Sequence, residues 1–171
     1  MKNIIRYVAV LSLIVSLAAC GGGGNTDAPA KKTTALLTIG LTGTLPPSTA
    51  ISGASFLMTL PAGVTPATSN GVVSSGVVTL SGVFSGSSLP AQTVYTAASG
   101  STPGTLNVIL ASSQSGGVAA SGEVAKINLL LSNDAQPTAI DLRISGASVF
   151  NSLTYDVIAG MGVSVASVVM Q

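Results

Sequence analysis

The chain has 171 residues, of which only 6% are charged, and the Lys and Arg residues exceed the Asp and Glu residues by a single charge. Charge this sparse supplies no basic cluster to neutralise phosphates, so nucleic-acid binding is excluded, while 47% hydrophobic residues exclude a disordered chain. There is no histidine and only one cysteine, so neither a Ser-His-Asp nor a Cys-His arrangement can be assembled.

At the start of the chain Lys2 and Arg6 lead into an apolar run from Tyr7 to Leu17 that closes on Ala18 and Ala19, the layout of an export signal over residues 1–19. The run is too short for a lasting membrane span, which needs about 20 residues. Leu17-Ala18-Ala19-Cys20 resembles the lipobox of bacterial lipoproteins. The resemblance implies a signal helix cleaved before Cys20, a diacylglyceryl group on the cysteine sulfur and an acyl chain on the new amino group. At about 0.8 kcal/mol per buried methylene, more than one chain makes such an anchor permanent, so membrane lipid at Cys20 is the first expected partner. Residues 20–34 are glycine, proline and polar residues without apolar periodicity and read as a flexible tether. Within it, Lys31 and Lys32 read as a solvated pair. Gly21 after Cys20, where an aspartate is absent, is similar to the pattern of lipoproteins sent to the outer membrane of Gram-negative cells. The expected location is therefore outside the cytoplasm, lipid-anchored at the outer membrane or cell surface.

Residues 35–171 are one domain's worth of chain. Lys126 and Arg143 stand against Glu123, Asp134, Asp141 and Asp156, leaving this part slightly acidic. Its apolar residues come in short runs rich in Val, Ile, Thr and Leu, separated by Gly, Pro, Ser or Asn, which predicts many short strands. They fall near 35–43, 53–60, 77–83, 92–97, 104–111, 122–132, 138–145 and 162–169. No helical periodicity with a cap and a stop follows residue 24. In GEVAKINLLL, Ala125, Ile127, Leu129 and Leu131 share one face and Lys126 and Asn128 the other; in GTLNVILA, Leu106, Val108 and Leu110 form the inward set. The expected fold is all-β, a sandwich of two antiparallel sheets. The Gly-Val recurrence in residues 69–86 is too brief for a solenoid; Asn70-Gly71, a strong type I′ signal, and Ser75-Gly76 are tight turns.

Two segments, ISGASFLMTLPAGVTPATS (51–69) and PGTLNVILASSQSGGVAASGEVAKINLLLS (103–132), resemble in their order those of cohesin-type domains and the related carbohydrate-binding-module sandwiches. Phe56, Met58 and Leu60 occupy the alternating apolar positions of the first, and Gly122, Ala125 and Ile127 the G-x-x-A-x-I opening of the last strand. The resemblance implies a jelly-roll-like sandwich that offers one flat sheet to a partner protein, or acts around polysaccharides, without catalysis and without a cofactor. This chain departs from the docking pattern, because its outward positions include Leu57, Thr59, Asn107 and Ile109 where docking cohesins use Asn and Asp. With no tryptophan, and only Tyr95 and Tyr155 after the tether, a strong polysaccharide grip is not expected.

Neither catalysis nor a metal is expected. The four acids of the domain lie in different predicted elements, each with a plain reading as a solvated turn or strand-end residue. Asn133, Asp134, Asp141 and Asp156 are oxygen donors of the kind calcium takes, but their spacing matches no loop motif, and SNDAQP (132–137) reads as a strand-to-strand turn. Asp141 and Arg143, two apart in the predicted 138–145 strand, are placed to pair. Leu57, Thr59, Asn107 and Ile109 form the candidate partner-binding face; a register one residue off would instead turn Leu57 and Ile109 inward. The expected function is a non-enzymatic, lipid-anchored module that binds a protein or a carbohydrate, with assembly of copies through open sheet edges into a surface layer or fibre as the alternative.

Overall fold

A computed structural model describes residues 31–171; the export signal, the lipobox with Cys20 and most of the tether lie outside the described residues. Two antiparallel sheets pack face to face, so the all-β sandwich expected from the apolar runs is the architecture observed. The first sheet contains β1 (Thr34–Thr42), β3 (Val64–Pro66), β6 (Val78–Leu80), β9 (Glu123–Leu131) and β11 (Gly162–Met170). Its order is β11-β1-β9, with β3 and β6 sharing the far side of β9: Val64 faces Leu131, and Leu80 faces Ala125. The second sheet has the order β10-β2-β8-β7, from β2 (Ile51–Leu60), β7 (Gln92–Thr96), β8 (Gly104–Ala111) and β10 (Ile144–Asn151). A small hairpin of β4 (Thr68–Ser69) and β5 (Val72–Val73) stands between β3 and β6. Its turn is Asn70-Gly71 with φ of 52° and 78°, the left-handed pair a type I′ turn requires.

Alternation builds the core. Leu37 and Ile39 of β1, Phe56, Met58 and Leu60 of β2, Leu106, Val108 and Leu110 of β8, and Ala125, Ile127, Leu129 and Leu131 of β9 all turn inward and are buried. Lys126 and Asn128 face solvent, as the period of two requires. The inward residues of β9 and β8 are those the sequence pattern assigns. Where alternation breaks, a bulge absorbs the extra residue. Between Thr38 and Ile39 the partner on β11 skips Ala166, so Val163 and Val165 before it, and Val168 and Met170 after it, all pack toward the core despite opposite parity. A single 3-10 turn, Gly82–Phe84, plugs the sandwich side with the fully buried Phe84. It lies so close to β9 that a β-carbon on Gly82 would sit 2.2 Å from the Glu123 carbonyl oxygen.

Three expectations are corrected. The strand predicted at 138–145 begins only at Ile144. Residues 138–143 form a turn instead, because the Asp141 carboxylate accepts both the Thr138 N–H, at 2.9 Å, and the Thr138 hydroxyl, at 2.7 Å; local side-chain bonds of this kind compete with a sheet ladder. Asp141 and Arg143 therefore do not share a strand face, and the partner of Asp141 is Thr138. The strand predicted at 77–83 stops at Leu80, where the 3-10 turn takes over. Thr33 and Thr34, assigned to the tether, belong to the sandwich at the start of β1, between β11 and β9: both N–H groups donate to the Gln171 carbonyl, and Thr33 accepts from Leu131 N–H.

Ile127 is fully buried at the centre of β9, whereas Leu130 on the same strand is 44% exposed. Ile127→Ala should lower unfolding free energy by about 2–5 kcal/mol, and Leu130→Ala by no more than about 1 kcal/mol. Urea denaturation of the two variants checks this; equal losses would show that β9 is not paired as described.

Candidate functional site

The outer face of the second sheet contains the four residues singled out from sequence. The β2–β8 register places Leu57 opposite Asn107, Ser55 opposite Ile109 and Thr59 opposite Thr105. β8 in turn sets Asn107 opposite Val94 and Ile109 opposite Gln92 of β7, and β2 sets Leu57 opposite Ser145 of β10. One rung therefore reads Ser145, Leu57, Asn107, Val94 across the sheet. The next reads Ser148, Ser55, Ile109, Gln92.

These pairings bring Leu57, Asn107 and Ile109 together, with Thr59 at the margin. Leu57 is 37% exposed, Ile109 46% and Asn107 exposed, while Thr59 is half-buried and donates its backbone N–H to the Arg143 carbonyl at 2.8 Å. The register that would hide Leu57 and Ile109 is not the one adopted. Sequence reasoning passed over Val94, which is 65% exposed and completes the group. Val94 and Tyr95 are adjacent apolar residues, so alternation alone leaves open which turns inward; the larger Tyr95 packs against the core and Val94 is left outside. The result is an amide at Asn107 with Leu57 and Val94 on its two flanks and Ile109 two residues along the strand.

With strands about 4.8 Å apart and like-facing residues about 7 Å apart along a strand, the aliphatic trio covers only a small part of the roughly 800 Å² per partner that a stable complex buries. The remaining contact on this face would fall to Ser55, Thr59, Gln92, Thr96, Thr105, Ser145 and Ser148. All of these are neutral. Most ionisable groups of the domain sit elsewhere, Glu123 and Lys126 on the first sheet and Asp134, Asp141 and Asp156 in connections. The exception is Arg143, exposed just before β10 and paired through its carbonyl with the Thr59 N–H, which brings one cation to the margin of the face. The centre of the face thus offers aliphatic contact and uncharged hydrogen bonding, with Arg143 beside Thr59 as the one charge at its margin.

The acids do not converge. Glu123 lies 3.9 Å from Lys126, and Asp134 is 2.8 Å from Lys31, both pairs exposed and worth no more than about 1 kcal/mol. Lys31 is accordingly paired rather than merely solvated. The side-chain and backbone hydrogen bonds from Thr138 hold the Asp141 carboxyl below the ordinary aspartate range, with a smaller contribution from the Arg143 charge. Asn133 and Asp134 occupy the two left-handed positions of a tight turn, φ 53° and 56°, closed by the Ala135 N–H donating to the Ser132 carbonyl at 3.0 Å. The SNDAQP segment is therefore the turn read from sequence. Among the described residues no three Asp, Glu, His or Cys side chains gather in one place.

Compared with known proteins, the chain matches no family model, no curated protein and no solved structure.

Because Leu57 and Ile109 point outward while Met58 and Val108 point inward, charge should separate the two sets. Leu57→Asp with Ile109→Asp should keep the far-ultraviolet spectrum and shift the urea midpoint only slightly, as surface substitutions do, within about 1 kcal/mol for the pair. Met58→Asp alone should unfold the domain, since an unpaired carboxylate would be buried. Collapse of the double variant would assign those residues to the core.

Proposed function

We propose that this chain is an exported, non-catalytic binding module, held at the membrane by lipid on Cys20 and carrying a cohesin-like, jelly-roll-type sandwich that engages another protein or, less favourably, a carbohydrate. The observation that carries the reading is the uncharged centre of the outer face of the second sheet, with Leu57, Val94 and Ile109 around Asn107. A flat surface of this kind recognises by shape and apolar contact, and exposed aliphatic groups rimmed by polar residues mark such sites. The absence of histidine from the sequence and the commitment of the only cysteine to the lipobox support a role without catalysis. In a Gram-negative cell the location that fits is the outer membrane or cell surface. A protein partner is favoured over a glycan because the face carries no aromatic platform for sugar rings.

A structural role in a surface layer or fibre is the second reading, and one observation favours it. The edge strand β11 runs GVSVASVVM without a charge or a proline, the devices that usually keep sheet edges from pairing with another copy.

A photo-crosslinking residue at position 57 or 109, introduced in the native host, distinguishes these readings. The expected result is one dominant heterologous adduct from the second sheet and at least about tenfold less from position 126 on the first. Adducts with the same chain, chiefly from a probe in β11, would favour assembly. No adduct from position 57 or 109, or recovery of the chain with Cys20 unmodified, would overturn the proposal.

A further inference from the structure

Along one side of the sandwich a cavity of about 680 Å³ opens between β6 and the segment 85–93, with the β4–β5 hairpin at its end. That volume falls within the range of built ligand sites, about 300–1,000 Å³. Among the described residues no ionisable one lines it; Val72, Val78, Leu80, Leu89 and Pro90 supply its apolar surface, and serines supply most of the rest.

One wall is a sheet edge: among the described residues β6 pairs with β9 on one side only. The Asn128 N–H donates to the Val77 carbonyl at 2.8 Å, and the Ser81 N–H donates to the Val124 carbonyl at 3.0 Å. Bonded and unbonded pairs alternate along an antiparallel ladder, so positions 77, 79 and 81 bond to β9. The backbone N–H and C=O groups of Val78 and Leu80 turn the other way, and both residues line the cavity. Two donor and acceptor sets therefore face it about 7 Å apart, the repeat that an extended chain presents.

We propose that this cavity binds an extended, uncharged peptide segment of another protein, added as a strand to the free edge of β6. The neutral walls favour an uncharged occupant, since an anion or cation would lose hydration without gaining a counter-charge. Main-chain bonds to Val78 and Leu80 give affinity, and Leu89 and Pro90 across the cavity contact the side chains of the added strand. Pro90 has no N–H, so the ladder forms on the β6 side at that point. This site adjoins the Leu57–Ile109 face at Gln92, which lines the cavity and stands opposite Ile109, but its proposed ladder on β6 does not use that face; otherwise the two share only the general reading of the chain as a binding module.

Amide hydrogen exchange, read by nuclear magnetic resonance on the full chain in detergent, tests the inference, with a capped heptapeptide of alternating Thr and Val as the probe. In the free chain the Val78 and Leu80 amides should exchange at least about tenfold faster than that of Thr79. Saturating peptide should slow both by about tenfold or more, a fully N-methylated peptide should not, and Ser88→Trp, on the cavity wall, should abolish the slowing. Protection of Val78 and Leu80 already in the free chain would overturn the proposal. So would slowing that grows with protein concentration alone, which would identify a second copy, or slowing by cellohexaose, which would identify a glycan. Loss of the peptide effect in the Leu57→Asp, Ile109→Asp variant but not in Ser88→Trp would overturn the groove assignment and leave the sheet-face reading standing. Loss in Ser88→Trp alone would support the groove whatever becomes of that face.

Discussion

β2 and β8 pair with Phe56 opposite Val108 and Leu57 opposite Asn107, and that alignment decides both what the sandwich buries and what it displays. Phe56, Met58 and Leu60 meet Leu106, Val108 and Leu110 in a core where, among the described residues, no polar or charged residue is fully buried. A slip of β2 by one residue would send Leu57 inward and expose Phe56 and Met58, and a slip of β8 would send Asn107 and Ile109 inward and expose Leu106, Val108 and Leu110. Burying an unpaired amide costs on the order of 1–3 kcal/mol, and losing a buried large apolar side chain costs about as much again. The displayed face is thus fixed by the same free energy that stabilises the core.

That coupling explains why a partly aliphatic face with an uncharged centre can be maintained at the surface. Leu57 and Ile109 cannot rotate into the interior without dismantling the ladder, so their exposure is enforced by their neighbours in the strand. Little electrostatic steering is available to such a face. Association would depend on shape and on the Asn107 amide, which can donate and accept in a fixed orientation on a rigid strand. Salt would weaken only a contact made with Arg143 at the margin, because the centre of the face holds no charge to screen. The free edge of β6 adds a different mode of contact, through the main chain instead of side chains.

Much of this architecture is legible in the sequence where one residue period governs the outcome. Lys126 and Asn128 alternate with Ala125, Ile127 and Leu129, and Asn70-Gly71 dictates its own turn; those segments fold as their pattern requires. The reading fails where local chemistry or long-range pairing overrides the period. Asp141 binds Thr138 and delays β10 to Ile144, which apolar content alone does not reveal. β3 and β6 are three residues each and exist because β9 offers its far side, a partner distant in sequence. Val94 could not be placed because Tyr95 competes for the same core. Of the candidate face, Leu57, Asn107 and Ile109 were readable since each lies in a strand with one clear inward set.

Solvent paramagnetic relaxation of methyl groups in the free full-length chain tests the central claim most directly, since it reports which side chains meet water without altering any of them. The account predicts strong enhancement for the methyls of Leu57, Val94 and Ile109, and near silence for Leu106, Val108 and Leu110. Shielded methyls at Leu57 and Ile109, together with enhanced ones at Leu106 and Leu110, would contradict the assignment of inward and outward faces and remove both the core and the face built on it.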